Sequence, residues 1–285
     1  MDIHVSIAAE TLFEIGPFQF TNAFLTMLLV MGGLLIFGVM VARKAALQPN
    51  TYGQFIFESV IDFLLGMVET TAGKYVGRRI WPLIGGLFIF IIVSNYSGLL
   101  PGIGTIGVWH DYPGDESALV ASVAQPASDA AAAAASENGR ELIPLFRSPS
   151  ADLNMTLAMA ILAVVIVQIA GIMAHGVVGR IKHMADPWWI FPLEVIAEVS
   201  RIVSLSFRLF GNVFAGEILV AVMVGIAAAT WFLVATLAVP TIFLYLEVLF
   251  GFVQALVFAL LVLIYLSLAT AGGHGDHGAE ESHGH

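Results

Sequence analysis

The sequence predicts an all-α, polytopic membrane protein with about five membrane helices, the last two forming a long, strongly tilted C-terminal hairpin, plus one amphipathic surface helix. Three observations carry this. The 285 residues are 59% hydrophobic and only 11% charged, where a soluble domain carries about 25% charged residues. The mean hydropathy is +0.91. The apolar residues gather into runs long enough to cross a hydrocarbon core about 30 Å thick, and basic residues cluster at the ends of those runs. The net charge of −10 excludes a generally basic, nucleic-acid-binding surface. With no cysteine there are no disulfides, thiolate metal sites or cysteine nucleophiles.

The elements follow in order. Residues 1–20 hold Asp2, Glu10 and Glu14 and no Lys or Arg, so they are expected outside the bilayer. They lack the basic start and short apolar core of a cleaved signal peptide. Residues 21–42 form the first span, and Arg43 and Lys44 mark its cytoplasmic end. The positive-inside rule then puts the N-terminus outside and, after five crossings, the C-terminus in the cytoplasm. Residues 52–74 carry Phe55, Phe63 and Met67 on one side and Glu58, Asp62 and Glu69 on another. That pattern suits a helix on the membrane surface, and it equally suits one packed on neighbours. Lys74, Arg78 and Arg79 form a second basic cluster, and residues 83–100 form the second span.

Residues 101–150 read as an outer loop, rich in acids, with Arg140 and Arg147 as its only basic residues. The alanine run 130–135 suggests a short helix in a low-complexity stretch. Ser150 or Asp152 is placed to cap the third span, residues 153–179, which Arg180, Lys182 and His183 return to the cytoplasm. Residues 187–273 are nearly all apolar, with charges only at Glu194, Glu198, Arg201, Arg208, Glu217 and Glu247. Three upright spans would fit the length. Two helices of about 40 residues would each be about 60 Å long and would tilt far beyond the usual ~20°. The charges favour the hairpin, over 188–271, because a tilted helix can keep them against protein or water. Its turn falls between Gly225 and Pro240. The His-, Gly- and Glu-rich tail, 272–285, reads as solvated, with no functional metal site expected. All of this makes one integral membrane domain, 1–285.

Arg208 is the costliest residue in the chain. An arginine at bilayer depth costs about 2.5–3.5 kcal/mol on insertion scales, and it cannot shed its proton. At helical spacing it shares a stripe with Ser200, Ser204, Gly211, Asn212 and Ala215, with Arg201 at the edge. Small residues on such a stripe let another helix approach closely. Glu217, nine residues on, points the opposite way, so a pair with Arg208 within the helix is not expected. Glu247 and Gln254 share a face of the last helix. Glu217 and Glu247, and Glu194 and Glu198 nearer the cytoplasm, are candidates to relay protons; a hydrogen-bonded structural acid is the alternative for each. There is no phosphate loop, zinc-protease motif or nucleophile elbow.

The run Ser206-Phe-Arg208-Leu-Phe-Gly-Asn212, followed by Ala-Gly-Glu217, resembles the signature of subunit a of the F-type rotary ATP synthase. Supporting blocks follow the family's order: Pro149-Ser-Ala-Asp152-Leu-Asn-Met-Thr-Leu-Ala, Leu193-Glu194, Gln254-Ala and Tyr265-Leu-Ser-Leu-Ala. The resemblance covers most of residues 21–271. It implies a non-catalytic, proton-translocating stator in an energy-coupling membrane, most simply the bacterial inner membrane. It implies no cofactor. The implied partners are a c-subunit ring, b-type peripheral stalk subunits and the rest of the complex. Arg208 would attract the deprotonated ring carboxylate. Asn212, Glu217, Glu247 and Gln254 match the route from the outer side, and Glu194 a position near the cytoplasmic exit. Ser204, Glu198 and Asp152 would support them. Some relatives carry histidine where Glu247 stands, so a Glu–His pair becomes two acids that would titrate together. The loop is also longer than the common pattern. A transporter binding an anion at Arg208 and an intramembrane enzyme are the competing readings; neither an internal repeat nor a nucleophile–base constellation supports them.

Overall fold

The computed structural model describes residues 9–15, 18–44, 52–100, 106–111, 140–184, 188–229 and 233–270. Among these the fold is all-α apart from two short ribbons. The helices are α1 (Asn22–Lys44), α2 (Tyr52–Ala72), α3 (Lys74–Ser97), α4 (Leu153–Met184), α5 (Phe191–Ala229) and α6 (Leu233–Thr270). All except α2 are long and apolar enough to cross a membrane. The last apolar stretch is thus two long helices rather than three short ones, with its turn outside the described residues. The alanine run and the His-rich tail also lie outside them.

The chain divides into two compact units. One comprises Met1–Gly32, Ile92–Leu153 and Phe210–Phe252. It opens on a ribbon of β1 (Thr11–Ile15) and β2 (Phe18–Thr21), where Phe13 and Phe20 face each other and their rings stack at 4.8 Å. Thr21 caps α1 by accepting the Phe24 N–H on its hydroxyl at 3.2 Å. The outer loop expected over 101–150 contains a ribbon that the sequence reading did not include: β3 (Gly107–Asp111) pairs antiparallel with β4 (Arg140–Pro144). A 3₁₀ turn, Pro149–Ala151, leads into α4 and is buried. Asp152, also buried, directly precedes α4. The Ser150 hydroxyl is buried without a hydrogen-bond partner, so it does not cap that helix.

The other unit comprises Gly33–Ile91, Asn154–Leu209 and Val253–His285. Its core is apolar at helical spacing: Leu64 and Val68 of α2, Ile84 and Ile91 of α3, Phe258 and Leu266 of α6. The expected helix over 52–74 stops at Ala72, because Gly73 takes a left-handed φ of 78°. Lys74, Arg78 and Arg79 therefore lie on the first turns of α3, and Arg78 pairs with Glu69 across the corner at 2.8 Å. The face of α2 bearing Phe55 and Phe63 is exposed, whereas Leu64 and Val68 are buried. Ser59 and Thr70 return their hydroxyls to their own helix, at 2.8 and 2.7 Å.

The third predicted span also differs. Gly176 interrupts α4 with φ 72° and ψ 164°. Beyond it Arg180 folds back to Gln168, with Nη2 donating to Oε1 at 3.0 Å. Arg180 stands at the end of the apolar span, as expected, but is only 9% exposed. Gly171 leaves the room, since a Cβ there would fall 3.0 Å from Arg180 Nε.

Candidate functional site

Helix α5 has two unlike faces. Leu205, Leu209 and Val213, with Ser206 beside them, are buried. Ser206 meets Thr156 of α4 at 3.2 Å. Ser200, Ser204, Arg208 and Ala215 are exposed, as are the apolar Val199, Val203 and Phe207. The Arg208 guanidinium reaches back one turn to Ser204 Oγ at 3.4 Å. Among the described residues no carboxylate pairs with it. Around Gly211 the space is open: a Cβ there would meet nothing within 4 Å. The result is a permanent cation on a shallow, small-residue strip.

Beyond Arg208 toward the C-terminus of α5, the structure assembles acids with a cation. Glu217 Oε2 lies 3.5 Å from Arg147 Nε, and both side chains are largely buried. Glu247 of α6 lays its carboxylate over Gly216, where an added Cβ would fall 2.6 Å from Oε1. The expected two-acid pair is therefore a group of two acids and one arginine. Asn212 instead turns to the backbone of α6, where its Nδ2 donates to Phe250 O at 3.3 Å. Asn95 Nδ2 donates to Gly251 O at 3.2 Å, and Tyr96 OH to Val248 O at 3.0 Å. Three side chains thus donate to carbonyls on the α6 turn that follows Glu247.

Toward the N-terminus of α5, Arg201 gathers the other acids. It pairs with Glu198 three residues earlier, and its Nη2 lies 3.8 Å from Glu194 Oε1. Its guanidinium carbon sits 5.0 Å over the Tyr265 ring. Among the described residues, Glu198 Oε2 is buried with no hydrogen-bond partner, and so is Gln254 Nε2 in α6. Buried polar atoms normally find partners, so the Glu198 oxygen is an open acceptor for water or a proton and the Gln254 amide nitrogen an open donor to water.

Sequence reasoning set Arg201 aside as an edge residue and read Arg147 only as a loop charge. Arg147 directly precedes the Ser148-Pro149 turn and stands in an otherwise acidic stretch; that was the available signal. Nothing marked Asn95 and Tyr96, because their acceptors are backbone carbonyls.

A family model described as ATP synthase A chain matches residues 24–267. The chain is 31% identical over 261 residues to ATP synthase subunit a of Moorella thermoacetica, covering 90% of this chain and 94% of that one. It is 30% identical over 259 residues to ATP synthase subunit a of Syntrophobacter fumaroxidans, covering 89% and 84%. It is 29% identical over 265 residues to ATP synthase subunit a of Desulforamulus reducens, covering 93% and 83%.

Proposed function

The chain belongs to the ATP synthase A chain family, the proton-translocating a subunits of F-type ATP synthases, and from that membership we propose how its residues divide the work. The family match favours this reading over the transporter and the intramembrane enzyme. The chain is the non-catalytic stator: ATP chemistry belongs to other subunits. Its α5 strip lies against a ring of c subunits, and b-type stalk subunits hold it in the complex. The membrane is the bacterial inner membrane, with the N-terminus outside and the C-terminus in the cytoplasm.

One observation carries the reading of the site. Arg208 is exposed on a strip of small residues, without a carboxylate of its own among the described residues, and carboxylate clusters flank it along the same helix. A charge that cannot be discarded, in an apolar segment, needs a countercharge. A ring carboxylate moving past the strip supplies one whenever it is deprotonated. Beside the guanidinium the carboxyl group is favoured in its ionised form, so it passes Arg208 without a proton and carries none straight from one route to the other.

Protons reach the ring from the outer side through Glu217 and Glu247, with Gln254 on the same route and Asn212 holding the neighbouring turn of α6. They leave toward the cytoplasm by Glu198 and Glu194. Ser204 steadies the guanidinium of Arg208, and Asp152 anchors the start of α4. Each relay step moves one proton between carboxyl groups, directly or through water.

The test is ATP-driven acidification of inverted membrane vesicles, wild type against Arg208→Ala, normalised to assembled complex. The expected outcome is pumping lost with the complex intact. Undiminished pumping would sink the assignment.

A further inference from the structure

We propose that Arg147 is a positioning residue for the outer route, holding Glu217 by charge from a connector clamped into the fold. The inference rests on the role given to Glu217 above.

The clamp is dense. Asn22 Nδ2 donates to Pro144 O at 3.2 Å. The Leu145 N–H donates to Ile106 O at 2.8 Å. The Arg147 N–H donates to Thr26 Oγ1 at 3.2 Å, and Ser148 Oγ donates to Ser94 O at 3.0 Å. Ser148 sits so close over α3 that a Cβ on Gly98 would fall 2.8 Å from its own Cβ. Residues 148–151 are buried. The backbone that carries Arg147 is therefore fixed on both sides of it.

From that base the guanidinium enters the fold. Its side chain is 11% exposed, and Nε stands 3.5 Å from Glu217 Oε2. At 3.5 Å the attraction fixes where the carboxylate sits, and a carboxylate, with about four lone-pair sites, keeps some of them for water or a proton beside one guanidinium. Glu247 lies over Gly216, the next residue in the chain, so two acids share this corner. Among the described residues, the charged groups facing Glu217 are Arg147 from the connector and Glu247 from α6; Tyr96 of α3 lies on the adjoining turn. Without Arg147 the two acids would repel, and among the described residues no other cation would hold Glu217 in register with the route.

A structural role for the connector and a positioning role for the guanidinium separate in a double-mutant cycle. The readout is ATP-driven pumping per assembled complex in inverted vesicles, for Arg147→Gln, Arg147→Lys, Glu217→Gln and Arg147→Gln/Glu217→Gln. Arg147→Gln is expected to slow pumping about tenfold, on the scale of a misplaced reacting group, and Arg147→Lys to recover part of the loss. The double variant is expected to be no slower than Glu217→Gln alone. A multiplicative loss would overturn the proposal, because Arg147 would then act on something other than Glu217. A normal rate for Arg147→Gln beside an impaired Glu217→Gln would overturn it too, leaving the route intact. A normal rate for Glu217→Gln would instead remove the route itself. If Arg147→Gln does not assemble, Arg147→Lys with and without Glu217→Gln gives the same comparison. A slowing that vanishes in the Glu217→Gln background supports the proposal, and one that persists overturns it.

Discussion

Glu247 reaches α5 where residue 216 has no side chain. A Cβ on Gly216 would stand 2.6 Å from the carboxylate oxygen and 2.8 Å from its carbon, closer than real atoms approach. The carboxylate is the far end of a flexible side chain, so Gly216→Ala would push it aside rather than unfold the helix. The expected outcome is a complex assembled at the wild-type level that pumps several-fold more slowly, on the scale set by displacing a reacting group. Quantifying the subunit in membranes beside the pumping rate checks both halves. Gly66→Ala serves as the control, since nothing lies within 4 Å of a Cβ there. At this scale the sequence singles out Arg208, Glu217 and Glu247 readily, because charges are rare in an apolar run. The pairing of Glu217 with Arg147 was not legible. It joins residues far apart in the chain through a connector whose course depends on hydrogen bonds to Asn22, Thr26 and Ser94.

Among the elements, α4 shows that a charge at the end of a span can also be built into the fold. Arg180 follows a long apolar run, and counting basic residues assigns it to the membrane boundary. Gly176 breaks the helix, however, and the guanidinium returns over Gly171 to Gln168. A hydrogen bond to a buried charged group is worth about 1.5–3 kcal/mol. Gln168→Leu keeps the bulk and removes the acceptor. The solubilised complex is expected to lose stability of that order, read as an earlier thermal midpoint or faster proteolysis of this subunit. Unchanged stability would mean that water or lipid headgroups solvate Arg180 as well as Gln168 does. The two ribbons escaped sequence reading for a related reason. Gly107–Asp111 is too short for a period to register, and its partner strand lies beyond a long insertion. On α2 the charges drew attention to one apolar face, whereas Leu64 and Val68 pack inside the chain and leave Phe55 and Phe63 outside.

For the whole molecule, the all-α class and the five long apolar helices were readable from composition and run length, because a bilayer limits the structures that can cross it. What a single chain cannot bury by itself is the other half of that logic. Along α5 the buried Leu205, Leu209 and Val213 belong to this chain's own packing, and the exposed Ser200, Ser204 and Arg208 do not. Mutating the two faces should therefore fail in different ways. Leu209→Ala removes a fully buried side chain, at a cost of about 2–5 kcal/mol, so the subunit itself should become scarce in membranes. Gly211→Leu adds bulk where a Cβ meets nothing within 4 Å. It should leave the inserted subunit at its normal level while blocking the approach of a partner helix, so that co-purification with the c subunits and pumping fall together. Normal co-purification and pumping for Gly211→Leu would show that no helix packs against this strip. Arg208 would then have to find its countercharge somewhere other than a passing ring.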